Sequence, residues 1–195
     1  MKKIQMVRIG FSIIGIVYVW SLPLLALCGF SEPNSKSISQ FISNPPATGA
    51  MASISFLPLV LMWEYQDFVI RKHVNKESIE KKLYLSLASF QLFYGLFLIC
   101  TDGYVPDELH TCTVILFSFS FIYHAICVIF YVQPSIVASI TLGVGILSFI
   151  CLLFAKDMWF WAFECIGFSS MLLYTPIDWI LYNPDNTLLR DSEFF

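Results

Sequence analysis

The stretch Trp159–Tyr182, WFWAFECIGFSSMLLYTPIDWILY, has the length of a membrane span and carries two carboxylates, Glu164 and Asp178. Ionisable groups inside a membrane-length apolar run are costly, which makes them functional candidates. A second run upstream, His110–Val132, carries His110 and His124 at the same separation of fourteen residues. At ~100° per residue, fourteen steps return to within roughly 40° of the starting face. Each helix therefore presents its ionisable pair along one side. Packed face to face, two such helices would set acids against imidazoles.

The composition agrees with a membrane setting. Of 195 residues, 57% are hydrophobic and only 13% charged, too little polar surface for a soluble domain. The expected fold class is all-α, a polytopic membrane protein. Nucleic acid is not an expected partner, because the basic residues lie in short loops and form no stripe.

Six apolar segments, about 9–31, 47–70, 83–101, 110–132, 135–155 and 158–182, predict one membrane domain built as a six-helix transmembrane bundle. The first is charge-free and longer than the ~7 to 15 residues of a signal-peptide core, so it reads as a retained span. Ser31–Pro46 is a polar loop whose Pro45-Pro46 suits the start of the next helix. Pro58 predicts a kink in the second span. Six spans place both termini on one side, with Lys2, Lys3, Arg8, Arg71, Lys72, Lys76, Lys81, Lys82 and Arg190; only Lys36 and Lys156 lie on the other. The positive-inside rule then makes both termini cytoplasmic.

That topology sets depth. His110 falls at the outer boundary with Glu164 just inside it, and His124 and Asp178 fall in the inner half. Three readings are open: a proton or ion path, a catalytic pocket at the outer leaflet, or polar glue between helices. The six cysteines lie in or at the ends of spans without the paired spacing of a metal site, and read as packing residues. Gly143 and Gly145 predict close helix approach in the fifth span. No metal or cofactor pattern is present.

ISNPPATGAMASISF in the first loop and second span, LHTCTVILFSFSFIYH in the fourth span, and WAFECIGFSSMLLYTPIDWILYNPD at the end together resemble the six-span DRAM/Frag/Sfk family. That family includes the N-terminal domain of the CWH-type cell-wall proteins and the post-GPI-attachment remodelling factors. The resemblance covers essentially the whole chain. Ser39–Pro46 is similar to the family's outer-loop segment before the second span, without its usual glycine. His110, a second histidine at His124, Glu164 and Asp178 match family positions, and the second histidine is similar to the remodelling branch.

The resemblance implies a role in GPI-anchor lipid remodelling, in the Golgi or endoplasmic reticulum, with membrane lipids and a GPI lipid or GPI-anchored protein as partners. If the chain is an enzyme, the implied reaction is acyl transfer to a lipid hydroxyl, which needs a general base and oxyanion stabilisation. His110 is the expected base, oriented by Glu164 or Glu108, with His124 and Asp178 in support. The regulator branches imply another role, at lysosomes or the plasma membrane, in autophagy or beside a phosphoinositide kinase complex. There Arg71, Lys72, Lys76, Lys81 and Lys82 would attract anionic lipid at ~1 kcal/mol per charge. The same five residues are also what positive-inside topology alone produces. A small proton-coupled transporter is the third reading, disfavoured by the lack of an internal repeat.

Overall fold

The computed structural model describes residues 3–74 and 76–181. Lys2, Tyr182, the Asn183-Pro184 turn and Arg190 lie outside them. The described residues contain helices and no strand, in the order α1 (Lys3–Leu27), α2 (Ile38–Phe41), α3 (Pro45–His73), α4 (Glu77–Ile99), α5 (Asp107–Cys127), a π-helical turn (Val128–Val132), α6 (Ile136–Cys151) and α7 (Met158–Leu181). Ile9–Leu27, Pro45–Arg71, Glu77–Ile99 and Asp107–Val132 are each long and apolar enough to cross a membrane, and Ile136–Cys151 is a shorter apolar helix. The chain is an all-α integral membrane protein.

Local chemistry sets the helix ends. α1 stops in a Schellman motif: Gly29 has φ +74, Phe30 N donates to the Leu25 carbonyl and Gly29 N to that of Ala26. α3 starts at Pro45, where Asn44 accepts from Ala47 N and the two prolines occupy positions whose donors are not needed. Asp107 and Glu108 stand in the first turn of α5, where the helix dipole favours negative charge. The loop expected at Ser31–Pro46 is not wholly irregular: Ser37 caps α2 by accepting from Gln40 N at 3.1 Å, and Gln40 Oε1 accepts from Lys36 N at 2.8 Å. This Ser-x-x-Gln pattern is close to a capping box.

α7 is the central element, packed against α6, α1, α3 and α2. Its joint with α1 follows from two prolines. Pro176 has no N–H to give the Leu172 carbonyl, and Ser12 of α1 donates to that oxygen at 2.7 Å. Pro23 leaves the Val19 carbonyl open in the same way, and Cys165 Sγ of α7 donates to it at 3.6 Å. Each helix supplies the donor that the other's proline removed. On the α6 side, a Cβ at Gly167 would lie 2.8 Å from the Phe149 ring and one at Gly145 would lie 3.0 Å from both Phe121 and Ser170, so glycine sets that spacing. Gly143, expected to share the role, faces open space.

The core between these helices is aromatic. Phe117 stacks on Phe90 and Phe97, meets Phe149 edge-on, and lies 5.5 Å from the Phe168 ring. Such pairs contribute ~0.5–1.5 kcal/mol each beyond their buried area.

Ser12→Ala orphans the Leu172 carbonyl. It is expected to lower the stability of the purified protein by about 1 kcal/mol, read as earlier thermal unfolding in detergent, with Ser12→Thr close to wild type. An unshifted melt in Ser12→Ala would show that this bond does not hold α1 to α7.

Candidate functional site

The four ionisable residues singled out in the sequence are all held by specific partners, and none of these is an acid–imidazole pair. α5 and α7 do touch, with Phe117 on Phe168 and His124 on Tyr174, but the acids of α7 turn to backbone amides of other segments.

Asp178, fully buried, accepts from the Tyr65 hydroxyl of α3 at 2.6 Å and from Ser135 N at 2.5 Å. Ser135 is the N-cap of α6. It follows Gln133, whose φ of +51 is left-handed, and a buried Pro134. The carboxylate therefore ties the turn entering α6 to α3 and α7, at a helix start where negative charge is favoured.

Glu164 does the equivalent at the other end of α7. It is 4% exposed, and its Oε2 accepts from Ile38 N at 2.5 Å, the first amide of α2. Fourteen residues apart on one face, the two acids of α7 each take a backbone donor from a loop-to-helix junction.

Proton accounting fixes His124. Ser86 Oγ spends its hydrogen on the Leu83 carbonyl, so it accepts from His124 Nδ1–H at 3.0 Å. His124 Nε2 is then the acceptor for the Tyr174 hydroxyl at 2.8 Å. The ring is fully buried and stacks on Phe90 with a 7° interplanar angle. His124 joins α4, α5 and α7 as a neutral, satisfied core residue.

His110 differs. It lies in the first turn of α5, and its Nδ1 is 2.7 Å from the carbonyl of Cys100, the C-cap residue of α4. A carbonyl can only accept, so Nδ1 carries the proton and Nε2 is the acceptor of the neutral ring. Neither Glu164 nor Glu108 orients it, as had been expected. Glu164 is committed to Ile38, and Glu108 is exposed in the α5 first turn. The orienting group is a helix-terminal carbonyl with no partner inside its own helix, which residue spacing could not reveal.

His110 and Glu164 nevertheless line one cleft of about 530 Å³. Its polar end is formed by Lys36, Ser39 and Gln40 of the first loop, Asp102 of the α4–α5 turn, and Lys156 and Asp157 of the α6–α7 turn. Its walls are apolar, including Val114, Ile115 and Ile122 of α5, Phe149 and Ile150 of α6, and Phe160 of α7. Lys36 Nζ and Asp157 Oδ1 pair at 2.5 Å across the rim. The volume is that of a pocket for a small organic molecule. His124 and Asp178 do not line it.

The five basic candidates lie at the α3–α4 connector, the end of the bundle away from this cleft. Arg71 pairs with Asp67 at 2.9 Å and Lys81 with Glu77 at 2.7 Å, both i,i+4. Lys82 sits over the Tyr131 ring at 5.6 Å, and Lys76 is exposed before α4. The Lys72 side chain lies outside what is described. Exposed pairs of this kind contribute ~0.3–0.5 kcal/mol, so the charges stand as a solvated face. All six cysteines are free thiols. Among the described residues no group of three His, Cys, Asp or Glu side chains is placed to hold a metal ion.

No family model, curated protein or solved structure matches the chain.

Asp178→Ala strands the Ser135 amide and the Tyr65 hydroxyl, at ~1–3 kcal/mol for each orphaned group. Asp178→Asn retains a carbonyl acceptor. Thermal melts in detergent are expected to rank wild type above Asp178→Asn above Asp178→Ala. Indistinguishable melts for the two variants would refute the clamp.

Proposed function

We propose that this chain is a six-span membrane protein of the DRAM/Frag/Sfk kind, with both termini cytoplasmic, acting on the lipid of GPI anchors at the cleft that faces away from the cytoplasm. The observation that carries the reading is that His110 and Glu164, far apart in sequence, line one cleft with a polar end and apolar walls. Such a cleft matches a lipid with its headgroup at the rim and a chain along the wall. The resemblance supplies the GPI lipid as the substrate. The placement of Arg71, Lys81 and Lys82 at the opposite end from the cleft supports the orientation.

In this reading the chemistry is acyl transfer to a lipid hydroxyl. His110 Nε2 takes the hydroxyl proton while that oxygen bonds to the acyl carbon of an ester donor. The donor's own ester bond breaks, and its alkoxide recovers the proton from His110. The Cys100 carbonyl holds the tautomer this requires. Glu164 holds the first loop over the polar end of the cleft. The compartment proposed is the Golgi or endoplasmic reticulum, as the resemblance implies.

The test is a knockout scored by flow cytometry of a surface GPI-anchored reporter, with rescue by wild type, His110→Ala, Glu164→Gln or Glu164→Ala. Each variant is checked for expression and membrane insertion. His110→Ala is expected to fail, losing at least ~100-fold in rate if it is the base. Glu164→Gln, which keeps an acceptor for Ile38 N, is expected to rescue better than Glu164→Ala. An unchanged reporter in the knockout would refute the GPI reading. Full rescue by His110→Ala would remove the general base.

A further inference from the structure

The charge at the rim of the cleft is balanced but not fully paired. Lys36 and Asp157 satisfy each other at 2.5 Å. Lys156 and Asp102 line the same cavity and make no ion pair with any described residue, including each other. A cation and an anion left unpaired at one cavity fit a ligand carrying both signs. A net-anionic headgroup would meet Lys156 but be repelled by Asp102, and a cationic one would do the reverse.

The walls say how such a ligand enters. Phe119 of α5 and Leu153 just after α6 both line the cleft, yet are 67% and 79% exposed. The cleft is therefore open sideways between α5 and α6. α6 has 16 residues, about 24 Å at 1.5 Å per residue, against ~30 Å of hydrocarbon. In a bilayer the turn that follows α6, with Leu153 and the exposed Phe154, is drawn into the leaflet. The cleft mouth then sits among lipid chains, with the headgroup level at its polar end.

We propose that the cleft binds a zwitterionic glycerophospholipid drawn sideways from the leaflet away from the cytoplasm. A chain lies between α5 and α6, the phosphate meets Lys156 and the amine meets Asp102. The inference rests on the acyl-transfer reading above and names its ester donor, a lipid distinct from the GPI lipid that accepts the chain. A primary amine is preferred over a quaternary one, because only the former donates hydrogen bonds to a carboxylate.

The test is native mass spectrometry of the full-length protein in detergent, titrated with phosphatidylethanolamine, phosphatidylcholine, phosphatidylglycerol or phosphatidylinositol. Wild type is expected to retain phosphatidylethanolamine best and both anionic lipids least. Lys156→Glu or Asp102→Lys alone is expected to weaken phosphatidylethanolamine binding about tenfold, and the double exchange to recover most of it. Both positions are at the surface, and a thermal melt confirms folding; a variant that misfolds is replaced by Lys156→Gln or Asp102→Asn.

Equal retention of all four lipids, a preference for phosphatidylinositol, or single variants that bind like wild type would overturn the proposal. The reporter assay is scored separately. A chain that rescues the reporter but shows no zwitterionic preference loses only this inference. One that binds phosphatidylethanolamine without affecting the reporter loses only the GPI reading.

Discussion

The arrangement of this bundle depends on α7 lending two buried carboxylates to backbone amides of other segments. A buried N–H at the start of a helix is costly without a partner, because its own helix offers none and solvent does not reach it. Asp178 meets that need at Ser135, where the chain turns into α6, and Glu164 meets it at Ile38, where the first loop folds into α2. One helix thus fixes the position of two junctions at opposite ends of the molecule. The second junction holds Lys36, Ser39 and Gln40 at the cleft, beside the first turn of α5 and the end of α6.

The same economy of polar groups runs through the interior. Proline in α1 and in α7 each frees a carbonyl, and the partner helix brings a hydroxyl or thiol to it. Ser86, His124 and Tyr174 form a chain in which every proton has an acceptor. Between these points the packing is carried by phenylalanine rings and by glycines at the α6–α7 contact. Small residues and matched polar groups hold the helices together here, as expected where apolar burial gives little preference for a neighbouring helix over lipid.

The two histidines are alike in the sequence and differ in what is left over. His124 has both ring nitrogens bonded to side chains and is sealed against Phe90. His110 spends one nitrogen on a helix-end carbonyl and lines the cleft. Its remaining nitrogen is the basic one, which is why the proposed chemistry rests on His110 alone. Glu164 lines the same cleft and holds the first loop at its polar end.

The residues by themselves determined the class of the fold and the list of candidates. A chain this apolar, with few charges inside its long uninterrupted runs, suits helices for crossing a bilayer, and local caps such as Asn44-Pro45-Pro46 mark where they begin. Four buried or half-buried ionisable groups stand out because apolar runs make them conspicuous, and the Ser37-x-x-Gln40 cap is a local pattern legible in the same way. Only the tertiary structure decided which partners they have. The Cys100 carbonyl, the Ile38 amide and the Ser135 amide are backbone groups that every residue carries, so no side-chain pattern identifies them. They became partners through how the helices pack: α5 meets α7 through Phe117–Phe168 and His124–Tyr174, while the two acids of α7 turn to amides of other segments instead of to imidazoles.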